Sequence, residues 1–363
     1  YGATEADVRL DTLGSTSWQN RKSKVKKHLR DMAEELIATA AKRTTKLIKP
    51  LNAPVGLYDE FCARFPYVET EDQLHGIDDC MTDLSEDVPM DRLICGDVGF
   101  GKTEVALRAA FVAASSGKQV AIVTPTTLLC RQHYETFSER FNGFSVSIAQ
   151  LSRLIGVKKA TSVRKGLTDG KIDIVVGTHA LLSKSVVFKN LGLLVIDEEQ
   201  HFGVAQKERL KAIKSDVHVL TLTATPIPRT LQLALSGVRQ MSVIATPPID
   251  RLAIRSFILP YDRVVIREAI LREHFRGGQI FYICPRIKDL EPVAAELRDI
   301  VPEIKILIAH GKMAARQLDS TMTAFYDGKF DLLLSTSIIE SGLDIPSVNT
   351  FIVHRAARFG LSQ

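Results

Sequence analysis

GDVGFGKT, at residues 96–103, decides how the rest of this chain is read. It fits G-x-x-x-x-G-K-[ST] and lies between a short apolar run, LIC at 93–95, and a helical run, EVALRAAFVAA at 104–114. Glycines at 96, 99 and 101 let the backbone curl, so that successive N–H groups and the N-terminus of the following helix face phosphate oxygens. Lys102 adds a point charge suited to β and γ phosphates, and the Thr103 hydroxyl can ligate Mg²⁺. Asp97, Val98 and Phe100 complete the loop. ATP with Mg²⁺ is therefore the expected ligand pair, and a loop of this kind belongs to a βαβ unit.

Outward from the loop, apolar runs at 93–95, 120–124, 172–176, 193–196 and 217–222 alternate with helical stretches. Each is near-continuously apolar, as expected of parallel strands covered on both faces. A second series follows at 279–284, 305–308, 332–335 and 351–353. Between the two series, residues 245–251 contain Pro247 and Pro248, which continue neither a helix nor a central strand and so predict a hinge. The chain is thus expected to be α/β, with an arm at 1–57 and two doubly wound lobes at 58–247 and 248–363.

In the arm, RKSKVKKHLR at 21–30 is basic, and Val25, Leu29, Met32, Leu36 and Ala40 recur at three- and four-residue steps. That spacing predicts one amphipathic helix over 18–43, either packed on the next domain or touching DNA phosphates or a protein partner. Net charge is +5 over 363 residues, and the first 50 residues supply all of it. Any nucleic-acid surface on the lobes must then come from the placement of charges and backbone donors. The five cysteines are scattered and form no C-x-x-C pair, so neither a disulfide framework nor a zinc site is expected. No apolar run approaches the roughly 20 residues of a membrane span, and no signal-peptide order opens the chain; a cytoplasmic protein without membrane contact is the expectation.

A phosphate loop needs a carboxylate for the metal, and DEEQ at 197–200 follows directly on the apolar run LGLLVI. Asp197 would hold Mg²⁺, Glu198 would orient and deprotonate the attacking water, and Gln200 would sense the nucleotide. In this arrangement DEEQ resembles motif II of the superfamily-two helicases and translocases, whose lobes are RecA-like. Further matches keep the order of that family: PTTLLCRQH at 125–133 is similar to motif Ia, and GTHALL at 177–182 to the next nucleic-acid-contacting motif. TATPIPRT at 223–230 is similar to motif III, FYICPR at 281–286 to motif IV and STSIIESGLDIP at 335–346 to motif V.

The resemblance implies site residues. Gln73, in ETEDQ, is similar to the glutamine that reads the adenine edge, with Phe65 a stacking candidate. Gly342 and Asp344 would couple the second lobe to the nucleotide. Hydroxyls of Thr126, Thr178 and Thr336, with Arg153, His179 and Arg229, are the candidates for the DNA backbone, a contact that needs no base identity.

GDVGFGKTEVALRAAF, DEEQHFGVAQKE, TLTATPIPRTL and RFPYVETEDQ together resemble the bacterial transcription-repair coupling factors; the fork-remodelling RecG helicases match the first less well. This likeness implies a motor that moves on double-stranded DNA behind a stalled RNA polymerase and recruits the damage-recognition protein of excision repair. A RecG-like branch-migrating helicase is the alternative. The chain ends at HRAARFGLSQ, where the family continues into motif VI with its arginine finger, so a third expectation is a silent nucleotide- and DNA-binding fragment.

Overall fold

Alternation of facing side chains within the apolar runs is what turns them into a buried sheet. The computed structural model describes residues 45–153, 155–203, 206, 209–210, 216–224, 239–248, 254–336 and 345–359, with positions 18, 20, 22–24, 26, 41 and 43. Helices α1 (Leu57–Ala63) and α2 (Glu71–Ser85) precede β1 (Asp91–Gly96). Then follow α3 (Lys102–Ser115), β2 (Gln119–Val123), α4 (Thr127–Arg140), β3 (Ile148–Leu151), α5 (Val157–Asp169), β4 (Ile174–Gly177), β5 (Leu191–Asp197), β6 (His218–Thr223) and β7 (Gln240–Ile244). These strands form one parallel seven-stranded sheet in the order β3-β4-β2-β5-β6-β1-β7.

Both faces of that sheet are covered. Val120 and Ile122 pack into a core with Phe61, Ala109, Ala110 and Phe111, while their neighbours Ala121 and Val123 pack with Val163 and Leu167 of α5. This two-sided burial is why the strands read as unbroken apolar runs rather than as alternating ones. The second sheet is also parallel. It is built from α6 (Arg263–Phe275), β8 (Gln279–Ile283), α7 (Leu290–Ile300), β9 (Ile306–Ala309), α8 (Ala315–Tyr326), β10 (Leu332–Ser335) and β11 (Val348–Val353), in the order β11-β8-β10-β9.

Two strands have no counterpart among the sequence expectations, β3 and β7, and both are sheet edges. One side of an edge strand meets no neighbour, so IAQL in β3 is mostly half-buried and QMSVI in β7 alternates between exposed and buried positions. Neither gives a continuous apolar signal.

Three contacts fix the larger pieces. In the arm, Arg43 is 5% exposed and its guanidinium donates to the carbonyls of Met90 (2.7 Å) and Val217 (3.0 Å), just ahead of β1 and β6. Positions 18, 20, 22–24 and 26 are helical and exposed; most of the expected helix, including 27–40, lies outside the described residues. Where the first sheet ends, the Ala245 N–H and the Thr246 N–H and hydroxyl all donate to the Asp72 carboxylate, at 2.8–2.9 Å. The expected hinge is thereby tied to α2 at its start; 249–253 lie outside the described residues.

Between the lobes the contact is α4 against α8. Leu128 is 4% exposed, in a cluster with Phe281, Met322 and Phe325 of the second sheet and its helix. Arg131 donates to Asp327 at 3.0 Å and lies over the Tyr326 ring at 5.2 Å, and Tyr326 donates to Glu135 at 3.4 Å.

Buried His218 gives the first lobe a pH dependence. Its Nδ1 accepts the Met90 N–H at 3.2 Å, and burial, with Arg43 and Lys118 nearby, lowers its pKa to about 4. An unfolded histidine titrates near ~6.5. Because the unfolded state binds the proton more readily, this stabilisation is complete above that value and is lost as pH falls towards 4. From pH 7.5 to 5 the loss is on the order of 2 kcal/mol. Urea unfolding followed by circular dichroism should therefore show His218→Asn, which can still accept the Met90 N–H, losing less stability over that range than the wild type.

Candidate functional site

Three adjacent strands, β5, β6 and β1, deliver the chemistry to one sheet edge. Each ends in a segment singled out by sequence: DEEQ after β5, the start of TATPIPRT after β6 and the glycine loop after β1. Carboxyl ends of parallel strands are where α/β proteins collect ligands.

The loop leads from Gly96 into α3. Gly99 and Gly101 both adopt φ near 80°, the left-handed region that glycine enters without strain. Lys102 opens α3, and its ammonium donates to the carbonyls of Gly96 (2.6 Å) and Asp97 (2.9 Å). Burial pulls the Lys102 pKa below the ordinary lysine value, against the opposing pull of Glu198, Asp197 and Asp97. The Asp97 carboxylate accepts the Val98 N–H at 2.7 Å, shaping the first half of the loop. Thr103 sits half-buried in the first turn of α3, and Phe100 packs against the main core.

Gln73 braces the loop. It completes a capping box with Thr70 at the start of α2, and its Nε2 donates to the Phe100 carbonyl at 2.9 Å. Phe65 lies at 5.5 Å from the Tyr67 ring, with the guanidinium groups of Arg140 and Arg108 at 5.7 and 6.0 Å over its own ring.

Across the edge, Asp197 and Glu198 are each 8% exposed. Asp197 Oδ2 is hydrogen-bonded to His133 Nε2 at 2.8 Å. Glu198 has φ 49°, a left-handed backbone that costs a non-glycine residue on the order of 1–3 kcal/mol. Its carboxylate accepts the Ala224 N–H at 2.9 Å and the Thr223 hydroxyl at 3.4 Å, and the Gln200 amide also donates to it. Thr223 and Ala224 in TATPIPRT, and His133 in PTTLLCRQH, are site residues that sequence reasoning misses. The available signal was a hydroxyl at the end of the neighbouring strand and, for His133, an imidazole on the apolar stripe of Leu129, Cys130 and Phe137.

The expected DNA contacts are distributed as follows. Thr126 caps α4, its hydroxyl accepting the Leu129 N–H at 3.2 Å. Thr178 is 1% exposed, and Thr336 is half-buried directly after β10. Arg153 is exposed and lies 3.6 Å from Asp319 of α8. His179 is held below the usual histidine pKa by burial and by Arg153, against Asp319. Arg229, Gly342 and Asp344 lie outside the described residues.

The donor set suits Mg²⁺: a buried carboxylate on Asp197 and a hydroxyl on Thr103 are hard oxygen ligands, and Mg²⁺ takes one or two carboxylates with phosphates and water. Among the described residues there is no cluster of three or more His, Cys, Asp or Glu side chains able to hold a metal by itself. Nor does any described helix have the length and apolarity to cross a membrane.

A methyl group on Gly101 would collide with the Gln73 amide and force an alanine into φ near 80°. Gly101→Ala should weaken nucleotide binding about 5- to 30-fold, corresponding to about 1–2 kcal/mol of backbone strain. Titration with a fluorescent ATP analogue checks this. Adding Gln73→Ala should not restore binding, because it removes the collision but leaves the strain and takes away the amide that braces the loop.

Comparison with known proteins follows the same division. The DEAD/DEAH box helicase family model matches residues 70–234, and the helicase conserved C-terminal domain matches 263–361. The transcription-repair-coupling factor of Rickettsia prowazekii is 54% identical over 367 residues, covering 100% of this chain and 33% of that protein. Those of Bacillus subtilis and Escherichia coli are 49% and 47% identical over 100% of this chain, and 31% and 32% of their own lengths. The chain thus spans about a third of the length of the curated relatives it matches. A solved structure of RecG bound to a three-way DNA junction superposes with a TM-score of 0.76 at 33% identity, covering 90% of this chain and 45% of that one. Lhr of Mycobacterium smegmatis, bound to single-stranded DNA and AMP-PNP, shares the fold at 17% identity, with a TM-score of 0.54 over 84% of this chain and 44% of that one. With two parallel-sheet lobes in the helicase order and this identity along its whole length, the chain belongs to the transcription-repair-coupling factor family, as its superfamily-two helicase-type motor core.

Proposed function

We propose that this chain hydrolyses ATP, with Mg²⁺, to drive translocation along double-stranded DNA. The supporting observation is the meeting of Lys102 with the Asp197–Glu198 pair at one sheet edge, with Thr223 and Ala224 clasping Glu198 between them. Backbone N–H groups of the loop and of the α3 N-terminus cradle the phosphates. Lys102 exchanges the carbonyls of Gly96 and Asp97 for β- and γ-phosphate oxygens. Asp197 and Thr103 would hold Mg²⁺, which when bound would supply charge neutralisation at the phosphate oxygens. Glu198 orients the attacking water and accepts its proton, and Gln200 senses the γ phosphate through its contact with Glu198. Gln73 and Phe65 are assigned to the adenine ring.

Cleft closure over ATP moves the second lobe against the first, and the phosphodiester backbone is held by Thr126, Thr178, His179, Arg153, Arg229 and Thr336. Gly342 and Asp344 report the nucleotide to the second lobe. For the whole protein, the displacement of stalled RNA polymerase and the recruitment of an excision-repair damage-recognition protein are proposed from the family. The likeness to RecG favours a second reading, remodelling of branched DNA.

DNA-stimulated ATPase measurement separates these steps. Lys102→Ala should abolish turnover and weaken ATP binding. Glu198→Gln should keep binding while lowering turnover by about 10²-fold or more, the range of general-base catalysis. Full activity in Lys102→Ala would refute the site assignment. Stronger stimulation by forked or four-way DNA than by plain duplex would favour the second reading.

A further inference from the structure

Helix α4 carries a histidine where its buried stripe calls for an apolar side chain. Leu129, Cys130 and Phe137 face the sheet, and His133 falls in the same stripe at 9% exposure. Its ring packs edge-on to Phe137 at 6.4 Å, which any apolar residue could do. Its Nε2 reaches Asp197 Oδ2 at 2.8 Å, which an apolar residue could not do. Among the described residues, no other side chain is hydrogen-bonded to the Asp197 carboxylate.

The opposite face of α4 meets the second lobe. Residues two apart on an α-helix point about 200° from one another, so Arg131 and His133 project in nearly opposite directions. Arg131 holds Asp327 and Tyr326, and Leu128, about 4.5 Å back along the axis from Arg131, is buried against Phe281 and Phe325. One rigid helix thus joins the seat of the second lobe to the carboxylate assigned to the metal.

We propose that His133 is a positioning residue: its Nε2–H orients the Asp197 carboxylate for Mg²⁺ and transmits to it the seating of the second lobe on α4. This rests on the reading of Asp197 as the Mg²⁺ carboxylate. A histidine that donates to a metal-holding group fixes that group's rotamer, and loss of such a partner typically costs 10–100-fold in metal affinity or activity. A histidine serving only as core filling would leave metal affinity untouched.

The test uses the whole protein and Mn²⁺ in place of Mg²⁺, with binding followed by electron paramagnetic resonance in the presence of a non-hydrolysable ATP analogue. His133→Ala should weaken Mn²⁺ binding by about 10–100-fold. His133→Gln, whose amide nitrogen can occupy the Nε2 position, should restore most of it, and circular dichroism of both variants separates this from unfolding. In parallel, the ratio of ATPase rates with and without duplex DNA is measured for His133→Ala, Arg131→Ala and the double variant. Non-additive effects on that ratio are expected. Unchanged Mn²⁺ affinity in a folded His133→Ala, or failure of Gln to rescue it, would overturn the positioning role; strictly additive ratios would overturn the transmission. If Asp197→Asn bound Mn²⁺ as tightly as the wild type, the assignment of Asp197 itself would fail, an outcome distinct from either.

Discussion

Opposite charges buried together at the carboxyl ends of β1 and β5 constrain everything around them. Asp197 and Glu198 are buried with Lys102 half-buried beside them, and an isolated buried ion costs several kcal/mol. Each therefore needs a partner that the fold must supply. Strand β6 lies between β5 and β1 and ends in Thr223 and Ala224, which reach Glu198. Helix α4 crosses behind and gives His133 to Asp197. Lys102 rests on two carbonyls of its own loop, a loop that only the positive-φ glycines at 99 and 101 can form without strain. In the proposed function a triphosphate with its metal would offer the same groups stronger partners, in exchange for these contacts.

The lobes are joined more lightly. Leu128 buried against the second sheet is worth roughly 2 kcal/mol by apolar area, and a half-exposed pair such as Arg131–Asp327 contributes under about 1 kcal/mol after screening. The apolar contact therefore supplies most of the attraction and the ion pairs set its register. Arg153 with Asp319 adds a further exposed pair on the same front. Contacts of this size can be broken within the free energy of ligand binding, which the proposed lobe movement requires.

The sequence displayed what was buried on two sides or covalently local. Central strands of both sheets were readable because full burial makes each one continuously apolar, and the loop at 96–103 and DEEQ were readable because their spacing is local. The edge strands β3 and β7 were not, since half of each faces no neighbour and its pattern blurs. Contacts between distant residues were also hidden. Nothing in the local pattern shows that Arg43 donates to carbonyls at 90 and 217, or that Leu128 belongs to the other lobe's core. His133 was visible as a polar residue in an apolar stripe, but its target, 64 residues away, became visible only once β5 was placed beside β2. The Thr126 hydroxyl caps α4, a role every helix start offers to threonine and one that the local pattern does not separate from the phosphate contact expected of it.

A crystal structure of the protein with Mg²⁺ and a non-hydrolysable ATP analogue tests the central claim most directly. The account predicts the γ phosphate against Lys102, with Mg²⁺ held by Thr103 and Asp197 and with His133 still bonded to that carboxylate. A triphosphate bound away from residues 96–103, or a metal held without Asp197, would contradict it.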